Sequence, residues 1–306
     1  MDVSGILNVD KPDGWTSYRV VSFVRRGSGV AKVGHAGTLD PTATGVLLVC
    51  LGRAVRLSQY LMELPKTYRA EVALGTATDT YDAAGRPTFR SDASGVGEAE
   101  VEEALTAFVG KIQQTPPPHS AIKRQGRPAY AYARAGRSLS LAPRRVVIHH
   151  IDLLAYRPPL VSLSLQCGKG MYVRSLAHDL GQRLGCGAHL RSLTRLGVGP
   201  FTLEDAHSLR GLDQAFDQGY WQELLLPLDY GLGQLPAITL DSRAEEGVRH
   251  GSPLPVAALS GLERPPSGQR CRAYAQDGGF IAVLRFEATS GLWRPEKVFP
   301  RPQTGS

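Results

Sequence analysis

The chain has 306 residues, 42% of them hydrophobic and 7% aromatic, which fits a soluble globular protein with room for one large domain and a small one. Its longest apolar run, Val46 to Leu51, is far too short to span a membrane as a helix. Thirty-five Lys and Arg against 28 Asp and Glu give a formal charge of +7, a balance that leans towards a polyanionic partner such as nucleic acid.

In chain order, Ile6 to Asp10 reads as a short strand that ends at the turn Lys11-Pro12-Asp13-Gly14. Thr16 or Ser17 caps a helix running to about Arg26, with Val20, Phe23 and Val24 on one face. A loop of small residues, Gly34 to Gly45, then leads into a buried strand, Val46 to Leu51, and a helix from Ala54 to Leu64. Thr67 to Leu74 alternates, with Tyr68, Ala70, Val72 and Leu74 on its apolar face, and predicts a half-buried strand. A turn-rich segment, Ala77 to Gly97, precedes a helix from Glu98 to Val109, with Gly110 as its stop. Val161, Leu163, Leu165 and Cys167 alternate with polar residues as another strand. Gly168-Lys169-Gly170 turns this strand into a helix from Tyr172 to Leu184, with Val173, Leu176, Ala177 and Leu180 in its apolar stripe. Strands and helices are mixed rather than strictly alternating. The expected fold is therefore α+β, with a larger domain at 1–235 built on a mixed, largely antiparallel sheet with flanking helices. Near Leu235-Pro236 the texture changes to short strands, Arg272 to Ala275 and Phe280 to Arg285, and predicts a small β-rich domain at 236–306.

From Ala104 to Ile151 there is no Asp or Glu, while Lys111, Lys123, Arg124, Arg127, Arg134, Arg137, Arg144 and Arg145 all fall inside. Cations without local anions are neutralised by a phosphate backbone that releases its counterions. Tyr130 and Tyr132 are interleaved and can stack on unpaired bases. A basic RNA-gripping insert is expected at about 111–145, although a solvated loop has the same composition.

The loop Gly34-His35-Ala36-Gly37-Thr38-Leu39-Asp40-Pro41-Thr42-Ala43-Thr44-Gly45 presents one carboxylate among hydroxyls and glycines. Pro41 biases Asp40 towards extended backbone, and Gly37 and Gly45 allow a tight turn or a close approach. A carboxylate presented in this way suits a nucleophile, a base or a ligand; an Asp-Pro turn that bonds its own amides uses the same residues. The eight histidines are scattered. His149-His150 with Asp152 could suggest a metal, but neighbouring strand residues face opposite sides. There is no Walker loop, and Gly27-Ser28-Gly29 lacks the remaining spacing of a dinucleotide loop.

The Asp40 loop closely resembles the catalytic loop of the TruB family of RNA pseudouridine synthases. The resemblance extends to Asp10-Lys11-Pro12-Asp13-Gly14-Trp15-Thr16-Ser17, Lys66-Thr67-Tyr68-Arg69-Ala70, Gly170-Met171-Tyr172-Val173-Arg174-Ser175-Leu176 and Gly187 to Leu193, all in the family's order. The C-terminal region resembles the family's PUA-like RNA-binding domain. Ala36 and Thr42 stand where other members often carry bulkier residues. The resemblance implies isomerisation of the T-loop uridine at position 55 of tRNA, flipped out of its loop, with no cofactor and no metal. It assigns the nucleophile to Asp40 and its guanidinium partner to Arg174. Tyr68 then stacks on the uracil and serves in proton transfer, and Tyr172 lines the pocket. His35 fills the space vacated by the flipped nucleotide, and Arg56 contacts phosphate or pocket. With Lys123, Arg124, Arg127, Tyr130, Arg144 and Arg145, these complete the expected RNA contacts. A monomer working on the T-arm without an obligatory protein partner is implied. A guide-RNA-dependent relative and a non-catalytic RNA-binding or RNA-folding protein are the alternatives. Cys50, Cys167, Cys186 and Cys271 form no CxxC pair, and Met1 to Gly5 shows no signal-peptide pattern, so a cytoplasmic location is expected.

Overall fold

The computed structural model describes residues 3–119, 123–124, 127–128, 141–256 and 265–300, the two short pairs in backbone alone. Tyr130, Tyr132, Arg134 and Arg137 lie outside the described residues. β1 (Gly5–Lys11) leads into α1 (Ser17–Ser28), whose first turn is capped by Thr16 accepting from the Arg19 amide at 3.1 Å. β2 (Val33–His35), the Asp40 loop and β3 (Thr44–Leu51) follow. The helix expected from Ala54 to Leu64 divides into a 3-10 turn at Gly52–Leu57 and α2 (Ser58–Glu63). β4 (Lys66–Leu74) buries Tyr68, Ala70, Val72 and Leu74, the alternation its sequence predicts. The turn-rich segment holds a hairpin of β5 (Thr76–Thr78) and β6 (Pro87–Arg90).

α3 (Glu98–Thr106) stops before Val109 because the Phe108 and Val109 amides bond three residues back, to Leu105 and Thr106. β7 (Gly110–Gln114), β8 (Lys123–Arg124), β9 (Arg127–Pro128), β10 (Arg144–Arg157) and β11 (Leu160–Cys167) come next. α4 (Val173–Arg183) starts one residue later than its sequence suggests, with Tyr172 as N-cap. β12 (Ala188–Val198), β13 (Phe201–Thr202), β14 (His207–Ser208) and α5 (Leu209–Gln218) complete the larger unit.

These strands form one ten-stranded sheet in the order β14-β1-β3-β12-β4-β11-β10-β7, with β2 on β3 and β13 on β12. All pairings are antiparallel except β1 with β14 and β3 with β12. β1 covers one edge of β3 from Gly45 to Leu51. The other edge is shared. β12 pairs it only at Thr44 and Gly45, and β2 takes it at Val49 to Leu51. The sheet therefore splits between β3 and β12, and the loop from β2 to β3 that carries Asp40 sits at the split. Leu47, Val49 and Leu51 of β3 pack with Val20, Val21 and Val24 of α1 in the main core, where each such buried side chain contributes about 1.5–3 kcal/mol. Leu176, Ala177 and Leu180 of α4 belong to the same core.

The two ends of the expected basic insert lie in strands. Lys111 to Gln114 and Arg144 to Ile148 are ladder partners in the sheet. β8 and β9, between them in sequence, pair antiparallel.

A second sheet, β15-β17-β18-β19-β16, begins at Ala237. It comprises β15 (Ala237–Thr239), β16 (Leu254–Pro255), β17 (Arg270–Tyr274), β18 (Phe280–Glu287) and β19 (Leu292–Val298), with α6 (Ser242–Arg249) against it. Ile238, Val248, Leu284 and Trp293 form its own core, and Val283 and Phe299 join Leu57, Tyr60 and Leu232 of the larger unit in a bridging cluster. All four cysteines are buried free thiols. No helix among the described residues is long and apolar enough to cross a membrane.

Candidate active site

The Asp40 loop is held by side chains from three directions. Lys11, fully buried at the end of β1, donates from Nζ to the carbonyls of Pro12, Trp15 and Pro41 at 2.8, 2.7 and 3.0 Å. Burial pushes its ammonium pKa down to about 8, against the pull of Asp13 and Asp40. Ser17 Oγ accepts from the Leu39 amide at 2.9 Å and donates to the Leu39 carbonyl at 3.1 Å. Arg195, buried on β12, donates from Nε to the Val46 carbonyl at 2.6 Å and from Nη2 to the Gly37 carbonyl at 3.1 Å, one on each side of Asp40. Gly45, at φ +95°, packs so close to β12 that a Cβ there would lie 2.2 Å from the Arg195 carbonyl oxygen. We expect Lys11→Met, which leaves the Pro12 and Trp15 carbonyls without their donor and Pro41 with the Gly14 amide alone, to destabilise the chain by about 2–4 kcal/mol. A denaturant midpoint unchanged from wild type would refute this bracing role.

Asp40 meets Arg174, in the first turn of α4, across the split. Arg174 Nη2 donates to Asp40 Oδ1 at 3.1 Å, and Nε lies 2.8 Å from Oδ2 as a close ion pair without hydrogen-bond alignment. The Arg174 side chain is 7% exposed and that of Asp40 39%. The guanidinium also donates to the carbonyls of Thr80 at 3.2 Å and His119 at 3.1 Å, and Nη1 lies 3.5 Å from Asp82 Oδ2. Burial raises the pKa of the Asp40 carboxyl, Arg174 opposes the rise, and the Asp82 charge adds to it. Asp82 is itself held by Thr80 Oγ1 at 2.5 Å and the Ala84 amide at 3.1 Å.

A cavity of about 720 Å³ opens in front of this pair, lined by Asp40, Tyr68, Tyr172, Arg174, Lys66 and Arg195 among others. Such a volume lies within the usual range for ligand sites. Tyr68 is both a core residue of β4, 9% exposed, and a wall of the cavity. Its phenol pKa is raised by burial and drawn back by Arg195, its cross-strand neighbour. Tyr172 is fixed through its backbone, since Gln114 of β7 donates to its carbonyl at 3.0 Å and accepts from its amide at 2.9 Å. Lys66 is buried, donates to the carbonyls of Met62 and Leu64, and has a pKa lowered to about 8 by burial and by Arg195.

The structure brings Asp40, Tyr68, Tyr172 and Arg174 to one cavity. His35, Arg56, Arg144 and Arg145 are not among its lining. His35, half-buried on β2, precedes the loop; its imidazole pKa is lowered by burial and by Arg195. Arg56 Nη1 donates to the Val298 carbonyl at 2.7 Å, and its guanidinium lies 5.3 Å from the Phe299 ring centroid. Arg144 and Arg145 are exposed on β10. Lys123, Arg124 and Arg127 belong to the β8–β9 pair, which is placed in backbone only. His149 and His150 are both exposed beside a register irregularity in β10, and His150 Nε2 lies 2.7 Å from Asp152. Among the described residues no group of three metal-ligating side chains gathers. Among the supporting residues, Lys11 and Ser17 lie inside a family motif that gives them no role, and Gln114 and Arg195 lie outside every motif.

Residues 25–173 match the model of the TruB family pseudouridylate synthase N-terminal domain, and residues 174–233 that of the tRNA pseudouridylate synthase B C-terminal domain. Curated relatives named tRNA pseudouridine synthase B include one from Dehalococcoides mccartyi, 42% identical over 98% of each chain. Another, from Symbiobacterium thermophilum, is 47% identical over 82% of this chain and 83% of its own. Among solved structures, one chain of a Cbf5-Nop10-Gar1 complex superposes with a TM-score of 0.76 at 28% identity, covering 97% of this chain and 85% of that one. The fold is thus that of a pseudouridine synthase with a PUA-like C-terminal unit. Its sequence kinship is closer still, and the chain belongs to the TruB family of pseudouridylate synthases.

Proposed function

We propose that this chain converts the T-loop uridine at position 55 of tRNA to pseudouridine, with Asp40 as nucleophile and without guide RNA or protein partner. The observation that carries the reading is the ion pair of Arg174 with Asp40, closed by one hydrogen bond, at the cavity wall beside Tyr68. The reaction breaks the N1–C1′ bond, turns the detached uracil and joins C5 to C1′. Asp40 either attacks C1′, as in retaining glycosidases, or takes the C2′ proton to form a glycal; the same carboxylate serves both. Tyr68 stacks on the uracil and passes the proton lost from C5. Atoms and electrons balance within the nucleoside, so no redox partner or added group is consumed. Extruding the base costs a few kcal/mol of stacking, which contacts elsewhere on the RNA offset. His35, next to the loop and with its imidazole pKa lowered by burial and by Arg195, fills the gap left in the RNA.

The T-arm contacts fall to the segment around β8 and β9, to Tyr130, and to the exposed Arg144 and Arg145. We place the unit boundary near residue 235, just before the second sheet, and the working form as a cytoplasmic monomer. Reversing Arg124 and Arg127 to Glu should weaken tRNA binding about tenfold at low salt and reduce the salt slope by about two ions. Affinity and slope like those of wild type would take this segment out of the interface.

The Cbf5 likeness favours a second reading, a guide-dependent enzyme, because the chain it matches belongs to a Cbf5-Nop10-Gar1 complex. Identity of 42% over nearly the whole chain to proteins named for tRNA, against 25–28% to Cbf5, supports the stand-alone reading instead. The test is incubation of the pure protein with an unmodified tRNA transcript and mapping of pseudouridine by chemical adduct and primer extension. One new pseudouridine in the T-loop supports the proposal; none, on bare RNA, favours the guide-dependent reading.

A further inference from the structure

Glu63, at the end of α2, lines the mouth of the cavity and has no part in the proposed chemistry. The lining holds four cations, Lys66, Lys169, Arg174 and Arg195, and two carboxylates, Asp40 and Glu63. Arg174 grips Asp40, while Lys66 and Arg195 turn to backbone carbonyls. Glu63 faces the fourth cation and one more from outside the lining. Its Oε1 lies 3.2 Å from Lys169 Nζ, and its Oε2 lies 3.5 Å from Nη1 of Arg270 on β17. One carboxylate thus bridges the turn that leads to Tyr172 and the C-terminal unit.

We propose that Lys169 and Arg270 form a phosphate site for the RNA strand leaving the cavity, and that Glu63 occupies this site while RNA is absent. The inference rests on the proposed entry of an RNA nucleotide into the cavity. A nucleotide held against Asp40 remains joined to its neighbours, so its flanking phosphates must cross the cavity mouth. The two oxygens of a carboxylate and the two non-bridging oxygens of a phosphodiester are similarly spaced, so cations bridged by one can be bridged by the other. Arg270 is already oriented for this. Its Nε and Nη2 lie 2.7 and 3.1 Å from the Glu296 carboxylate, and Nη1 is the nitrogen turned to Glu63. Lys169 sits between Gly168 and Gly170 on an exposed turn, free of bulky neighbours in sequence. The Lys169 and Glu63 side chains are 66% and 45% exposed, so their pairing is weak and a fully charged phosphate can displace it. Counterions released from the RNA add to the exchange.

The experiment measures Kd for an unmodified tRNA transcript at several KCl concentrations, with Glu63→Gln, Lys169→Gln, the double variant, and Glu102→Gln on the exposed side of α3 as a control for diffuse charge. Glu63→Gln should bind about threefold more tightly at low salt, with a salt slope steeper by up to one ion, while Glu102→Gln changes neither. Lys169→Gln should weaken binding, and in its background Glu63→Gln should recover less than half of its gain. The proposal is overturned if Glu63→Gln binds no tighter than Glu102→Gln, or if its gain persists in full without Lys169. It is also overturned if Glu63→Gln binds more weakly with a lowered Tm, which would make Glu63 a structural tie between the two units. Pseudouridine formation on the same transcript is read in parallel: its absence in wild type defeats the proposed function, whereas unchanged affinities beside normal turnover defeat only the phosphate site.

Discussion

Asp40→Asn should lower single-turnover formation of pseudouridine by about 10⁴-fold or more, while Kd for the same tRNA stays within about threefold. The substitution keeps the size and shape of the side chain, so the loop braced by Lys11, Ser17 and Arg195 has no reason to move. What it removes is the charge. An amide neither attacks C1′ nor takes the C2′ proton, so both routes through this residue close together. Asp82 is no substitute: it lies on the far side of the Arg174 guanidinium, tied by Thr80 and Ala84, and is not part of the cavity lining. RNA affinity is expected to hold because the binding surface is cationic and loses no cation; deleting a carboxylate there favours a small gain. Rapid-quench assays with excess enzyme, beside filter binding, separate the two quantities. Turnover near wild type would reduce Asp40 to a turn residue. Loss of binding in step with activity would mean that the substitution had disturbed the fold.

How far the site could be read from sequence depended on what each residue needs from its neighbours. Strands with period-two alternation were legible: β4 shows the buried face Tyr68, Ala70, Val72, Leu74 that its pattern predicts. β12 was legible only as a motif, because its residues mix Arg, Ser and Thr with leucines and two register irregularities break the alternation. Asp40 was conspicuous because nothing apolar explains it. Arg174 was not, since an arginine one residue into a helix reads as a solvated cation. Its burial follows from Asp40 arriving from more than a hundred residues away, at a split in the sheet that no local pattern encodes. Arg195 and Lys11 were missed for a related reason. Buried cations are rare unless paired, and these two are satisfied by backbone carbonyls that are exposed to them only because the loop departs from regular structure. The basic window marked a region by charge alone, and it could not show that the ends of that region are sheet strands.

Replacing Arg174 should give the second large effect, and here the pH dependence discriminates. Arg174→Lys keeps a positive charge but loses the planar fork, so it cannot hold Asp40 and the carbonyls of Thr80 and His119 at once. A nucleophile free to rotate away from C1′ costs about 10²–10³-fold in kcat. Arg174→Met removes the charge as well. Asp40 and Asp82 then face each other across the vacated volume with no cation between them, and like charges at such range disfavour double ionisation. The Asp40 pKa, already above its ordinary value through burial, is driven further up once the opposing guanidinium is gone. The sign is fixed: the reactive form is the carboxylate, so activity is lost as pH falls through this pKa, and a higher pKa moves the acid limb of kcat/KM to higher pH. Arg174→Lys should shift that limb less than Arg174→Met, although both lose kcat. The stability cost should fall short of the 3–5 kcal/mol typical of breaking a fully buried pair, because the Asp40 side chain is 39% exposed and water can take over part of the solvation. An acid limb unmoved in Arg174→Met, with kcat reduced, would show that the guanidinium orients Asp40 without setting its ionisation. An unreduced kcat would remove Arg174 from the mechanism, leaving it a structural link between α4 and the loop.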